Sequence, residues 1–117
     1  MASLESITVP PQRFRKTLVY YYMPHCPYCK EFAPVFLKLT ELCKKMTFCS
    51  LAAVDITQHK NVGVPIKTVP TLMYFDSQGV PHKMPASSAE DRSLLNVATF
   101  YKQQHDLDKL NETRRRL

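Results

Sequence analysis

A strand, a long helix, a second strand, a hairpin and a closing helix follow one another along the chain, and this order predicts an α/β fold: a central mixed β-sheet flanked by helices. Three stretches carry the prediction. TLVYYYM (17–23) is a β-branched and aromatic run without polar interruption, as suits a strand covered on both faces. From Cys29 onward, Phe32, Phe36, Leu39, Cys43 and Met46 recur every three or four positions, with Val35 and Leu42 widening the stripe; this is the spacing of a helix lying on a sheet. TFCSLAAVDI (47–56) is again apolar on both faces, and a helix between two buried strands makes a βαβ unit whose strands run parallel.

The other elements follow in chain order. LESITV (4–9) reads as an edge strand that Pro10 and Pro11 end, so residues 1–16 are expected to be edge strand and linker. Pro34 removes one backbone donor inside the long helix and predicts a kink. Residues 57–68, with Gly63 and Pro65, read as an irregular or weakly helical connection. TLMYF (71–75), DSQG (76–79) and VPHKM (80–84) form a hairpin pattern in which Gly79 supplies a positive φ. SSAEDRSLLNVATFYKQQ (87–104) predicts the closing helix, with Ser87 or Ser88 as cap, Glu90 and Asp91 in the first turn, and Leu94, Leu95, Val97, Ala98 and Tyr101 on one face. Residues 106–117 read as a basic tail ending in Arg114, Arg115 and Arg116, and the whole of 1–117 as one domain.

Composition narrows the function classes. A net charge of +6 and a pI near 9.3 invite a nucleic-acid reading. The positive residues are scattered, however, with one dense cluster at the C-terminal end, so nucleic acid is not an expected partner and the tail reads as a solvated run. No run reaches the roughly 18 apolar residues of a membrane span, and residues 1–16 lack the apolar core of a signal peptide. The expectation is a cytoplasmic protein without a membrane partner, in which four cysteines are too few for a disulfide-stapled miniprotein. In a reducing compartment, a close cysteine pair is more often catalytic or metal-binding than structural.

That pair is Cys26 and Cys29 in HCPYC. Cys26 stands where the first strand ends and the long helix begins, the N-cap position, where free backbone N–H groups and the helix dipole favour a negative sulfur. Pro27 suits the first helical position, which needs no N–H. Cys29, one turn on, can approach Cys26, which gives one exposed nucleophile of lowered pKa and one thiol able to attack a mixed disulfide. Two rival readings stay open: a pair of packed core thiols, and half of a zinc site. Zinc would need a second close ligand pair, whereas five residues separate Cys43 and Cys49; those two read as core residues, and no metal is expected.

HCPYCKEFAP resembles the active-site segment of the thioredoxin family, with Lys30, Ala33 and Pro34 at the family's Lys, Ala and Pro places. IKTVPTLMYFDSQG (66–79) resembles its second signature. The resemblance runs from about Leu18 to Tyr101. It implies a thioredoxin fold, a redox-active disulfide in place of any cofactor, a cis peptide bond at Val69–Pro70, backbone hydrogen bonds from Val69 to an extended substrate, and Pro70 packed beside the dithiol. His25 and Tyr28 are expected to shape the rim, or else to be plain surface. There are departures: thioredoxins carry Trp where His25 stands, Gly-Pro where Pro27-Tyr28 stands, and a buried Asp where Tyr20 stands. CPYC is the glutaredoxin dipeptide, yet the glutaredoxin Gly-Gly turn is replaced by PASSAEDRS (85–93), where Ser87, Ser88 and Asp91 offer a partial substitute. The expected function is therefore thiol–disulfide oxidoreduction on protein disulfides, with a reductase or glutathione as electron donor. A glutathione-dependent, glutaredoxin-like enzyme and a non-catalytic binding or assembly subunit are the alternatives.

Overall fold

Six consecutive residues without an exposed side chain, Thr17–Tyr22, form β1, and the rest of the fold is arranged around them. The structure is a computed structural model that describes residues 3–117. Its other elements are α1 (Leu4–Ile7), α2 (Pro27–Cys43), β2 (Leu51–Asp55), a 3-10 turn (Ile56–Gln58), β3 (Thr71–Phe75), β4 (Pro81–Lys83) and α3 (Leu94–Arg116). The sheet order is β2-β1-β3-β4. β1 pairs in parallel with β2, placing Tyr20 opposite Ala53, and antiparallel with β3, placing Tyr20 opposite Leu72. β4 then pairs antiparallel with β3.

Alternation along β1 divides the core in two. Leu18, Tyr20 and Tyr22 face α2 and α3, where Phe32, Phe36, Leu39, Val97, Phe100 and Tyr101 meet them. Val19 and Tyr21 face the other way, with Phe14, Val54, Met73 and Phe75. Fully burying one such side chain contributes roughly 1.5–3 kcal/mol. No helix among the described residues covers the second face. Val9, Ile56, Val62, Val64 and Ile66 from connecting segments do so instead, and they leave an open cavity of about 640 Å³ against Phe14, Tyr21 and Phe75. Across the hairpin, Gly79 has φ +81°, the left-handed conformation its turn requires.

Several expectations are corrected. The edge strand at 4–9 is instead the short helix α1, because Ser3 and Ser6 cap each other reciprocally and coil the chain; strand pairing survives only as one bridge, Thr8 to Ala53. The strand placed at 47–56 covers only Leu51–Asp55. α2 stops at Cys43, so Met46 leaves the apolar stripe and is 50% exposed. Cys43 and Cys49, read as plain core residues, form a disulfide with Cα atoms 5.3 Å apart. The chain turns back just after α2, with Lys45 N–H donating to Leu42 O and Met46 N–H to Cys43 O, and this brings Cys49 to Cys43 while both pack against the core.

The closing helix is capped by Ser93, whose side chain accepts from Asn96 N–H. Ser87 and Ser88 hold Asp91 in a turn of their own instead. Residues 106–116 continue the closing helix, since α3 runs to Arg116, while Arg114, Arg115 and Arg116 stay exposed on its last turn. Asp108 anchors it: this carboxylate is 6% exposed and accepts from Tyr74 Oη at 3.3 Å, Ser77 N–H at 3.0 Å and Ser77 Oγ at 2.8 Å. Lys16 pairs with Glu112 at 2.7 Å, and Arg115 donates to Ser77 Oγ at 3.0 Å. A helix end without a strong apolar stripe is thus held by polar contacts to the β3–β4 turn.

Candidate active site

The junction of β1 with α2 puts two thiols in different environments. A short turn follows β1, closed by Cys26 N–H to Met23 O at 3.2 Å. Cys26 is the N-cap, with extended backbone (φ −77°, ψ 125°), and Pro27 occupies the first turn of the helix. The first helical bond runs from Lys30 N–H to Cys26 O at 3.0 Å. Cys26 is half-buried and Cys29 is 2% exposed; neither forms a disulfide.

Their electrostatics diverge accordingly. The backbone N–H of Cys29, followed by that of Tyr28 and the positive charge of Arg92, outweighs partial desolvation and holds the Cys26 thiol below its ordinary pKa. The sulfur faces these N–H groups without closing a cap hydrogen bond. Burial pushes the Cys29 thiol the other way, above its ordinary value, opposed by the Met23 backbone and the Tyr20 hydroxyl. One thiol is therefore poised to ionise and the other to stay protonated.

β1 and β3 are antiparallel neighbours, with Tyr21 opposite Thr71, so the segment before β3 lies at the same end of the sheet as the segment after β1. This places Val69 and Pro70 beside the cysteine turn. Their peptide bond is cis, both are half-buried, and Val69 packs with Cys26 against the same core cluster. The Val69 backbone makes no hydrogen bond among the described residues. Tyr28 is 62% exposed and His25 is exposed. The cavity on the second sheet face is lined by neither cysteine. At the start of α2, Tyr28, Phe32 and Arg92 line a small cleft of about 90 Å³, which neither cysteine lines.

Two residues of the site were not foreseen. Arg92 is buried to 8% exposure, and its Nε has no partner among the described residues; its charge acts on Cys26. Tyr20 is fully buried, and its hydroxyl donates to the Cys29 carbonyl at 3.0 Å. Period-two alternation along β1 would have turned Tyr20 toward the helix, whereas nothing local signals the burial of Arg92. Ser87, Ser88 and Asp91 bond to one another, Asp91 accepting from Ser87 N–H at 2.9 Å and Ser87 Oγ at 3.1 Å. Among the described residues, no three His, Cys, Asp or Glu side chains are grouped to hold a metal ion, and no helix is long and apolar enough to cross a membrane.

Comparisons with known proteins agree with this fold. The family model for thioredoxin matches residues 11–103. Protein disulfide-isomerase A5 from Mus musculus is 29% identical over 109 residues, covering 88% of this chain and 20% of the mouse protein. The protein disulfide-isomerase A6 homolog from Caenorhabditis elegans is 32% identical over 83 residues, 69% of this chain and 18% of that protein. The chain thus spans about a fifth of these relatives. Among solved structures, zinc-bound human ERp44 superposes with a TM-score of 0.67 at 20% identity, over 82% of this chain and 29% of ERp44. The Trx4 domain of ERdj5 gives 0.62 at 22% identity, over 83% of this chain and 92% of that domain. The chain belongs to the thioredoxin family.

Proposed function

We propose that this chain exchanges electrons with protein disulfides through Cys26 and Cys29. The observation that carries the reading is the split between the thiols: Cys26 half-exposed at a helix N-terminus with a lowered pKa, Cys29 buried with a raised one. The Cys26 thiolate attacks a substrate disulfide, forming Cys26–S–S–R and releasing the other substrate sulfur, which takes up a proton. Cys29 then gives up its proton and attacks Cys26 Sγ; the Cys26–Cys29 disulfide forms, the bond to R breaks, and R leaves as a thiol. The dithiol loses two electrons and the substrate gains two. The unpaired Val69 backbone offers hydrogen bonds to an extended substrate segment, Pro70 flanks the sulfurs, and Tyr28 and His25 form the rim.

A partner must return the electrons. A reductase fits better than glutathione, because Ser87, Ser88 and Asp91 are occupied by one another. The Cys43–Cys49 disulfide favours an oxidising compartment over the reducing cytoplasm. Insulin reduction, run in parallel with thioredoxin reductase and with glutathione, tests the reading. Turnover that Cys26→Ser abolishes is expected; no turnover with either donor would leave the non-catalytic alternative standing.

A further inference from the structure

The second face of the sheet carries a cavity that the cysteine pair does not use. Alternation along β1 turns Tyr21 to this side, where Phe14 and Phe75 join it. Connecting segments rather than a helix cover these rings, and about 640 Å³ stays open, within the roughly 300–1,000 Å³ of small-molecule sites. At the lip, Gly63 has φ +85°, and a Cβ placed there would meet nothing within 4 Å.

Inside the cavity one polar group lacks a partner. Five tyrosines are buried, and four of them bond through their hydroxyls: Tyr20 to Cys29 O, Tyr22 to Thr8, Tyr74 to Asp108 and Tyr101 to the Ser50 backbone. Tyr21 is 1% exposed and lines the cavity, and its hydroxyl makes no hydrogen bond among the described residues. Among those residues the fully enclosed polar side-chain atom without a partner is Arg92 Nε. The Tyr21 hydroxyl therefore borders open space, and the open space at Tyr21 is this cavity. Burial pushes its pKa up to about 12, so it is a donor at neutral pH. The charge at the mouth has one sign: Arg13 and Arg15 line the cavity, and no Asp or Glu does. Arg15 donates one N–H to Ser77 O at 2.9 Å. Arg13 is exposed and has no partner among the described residues.

We propose that this cavity is a binding site for a small aromatic anion, a carboxylate or sulfonate, whose ring lies against Phe14 and Phe75 and whose charged group accepts from the Tyr21 hydroxyl and pairs with Arg13 and Arg15. Each part of the ligand answers a part of the cavity. The aromatic and aliphatic walls, with Val62 and Val64 beside the rings, favour a flat apolar body. The unpartnered hydroxyl calls for an acceptor, and a charged acceptor makes the stronger bond. Two guanidinium groups without a lining carboxylate select a negative one. Neither cysteine lines the cavity, so the site stands apart from the dithiol, and its failure would leave the oxidoreductase reading untouched.

The test is a fluorescence titration of the whole chain with anilinonaphthalene sulfonate, an aryl sulfonate that brightens in apolar surroundings. Saturation at one equivalent is expected. N-phenylnaphthylamine, the same rings without the sulfonate, should bind about tenfold more weakly, as loss of hydrogen bonds to a charged group implies. Tyr21→Phe keeps the ring and removes only the donor; it should weaken the sulfonate about tenfold and leave the neutral probe unchanged. Arg13→Gln should weaken the sulfonate about threefold, the smaller effect of an exposed charge. Amide spectra of the wild-type protein with the sulfonate should show shifts at Val62, Gly63 and Gly79, and together with Arg13→Gln they keep the test decisive should Tyr21→Phe fold poorly. No saturable binding, equal affinity for the two probes, or wild-type affinity for the sulfonate in both variants would overturn the site. So would amide shifts confined to the apolar groove of Leu39, Phe48 and Tyr101 between α2 and α3.

Discussion

Replacing Asp108 by Ala tests whether the end of α3 is docked as the structure places it. The carboxylate accepts three hydrogen bonds from Tyr74 and Ser77, and a hydrogen bond to a charged group contributes about 1.5–3 kcal/mol. Ser77 is half-exposed, so water recovers most of its two bonds. Tyr74 is fully buried and recovers none, although its 3.3 Å bond is at the weak end. The expected loss is about 3 kcal/mol. For a chain of this length that lowers the melting temperature by about 12 °C. Asp108→Asn keeps one acceptor and is expected to lose about half as much. Asp106→Ala, two residues away, breaks the exposed 2.8 Å pair with Lys102 and is expected to leave stability nearly unchanged, because solvent screens an exposed pair. Urea unfolding of the three variants reads these differences directly. A loss in Asp108→Ala no larger than in Asp106→Ala would refute the docking of residues 106–116.

Two further outcomes are expected. Replacing Cys43 and Cys49 together by Ser removes a loop closed at a sequence separation of 6, which should cost about 2 kcal/mol in unfolded-state entropy; the difference from wild type should vanish when both proteins are melted in strong reductant, and its persistence would contradict the disulfide. The Cys26–Cys29 couple should be more oxidising than an ordinary thioredoxin, at about −200 to −230 mV rather than about −270 mV, because the Cys29 N–H, the Tyr28 N–H and Arg92 stabilise the reduced form as a thiolate. Equilibration with glutathione buffers measures this, and a value at or below that of thioredoxin would show that these groups do not set the potential.

The parts of the fold legible in sequence are those written in local periodicity. The unbroken apolar run of β1, the stripe from Cys29 to Cys43 and the glycine turn of the hairpin each specify their element from within it, and all three stand in the structure. The misses are tertiary. Nothing in LESI announces a helix except two serines three apart that cap one another. α3 continues past Gln104 because a single buried carboxylate finds Tyr74 and Ser77, over thirty residues back in the chain, which no apolar pattern encodes. Cys43 satisfied the helical stripe so well that its pairing across the following turn was hidden. The same holds at the site: the CxxC spacing and strand–helix junction name Cys26 and Cys29, but Arg92 acts only because the segment before α3 folds back over the helix start.

The account stands most directly on the difference between Cys26 and Cys29, and brief iodoacetamide alkylation of the reduced protein across a pH series, read by peptide mass spectrometry, measures it. Alkylation follows the thiolate fraction, which rises with pH through the pKa of each thiol. The N–H groups of α2 and Arg92 lower that pKa for Cys26, and burial raises it for Cys29. Cys26 should therefore take the label near neutral pH, with its inflection below the 9.0 of an unperturbed thiol, while Cys29 stays unlabelled over the same range. Preferential labelling of Cys29, Cys43 or Cys49, or a Cys26 inflection at or above that value, would contradict the account.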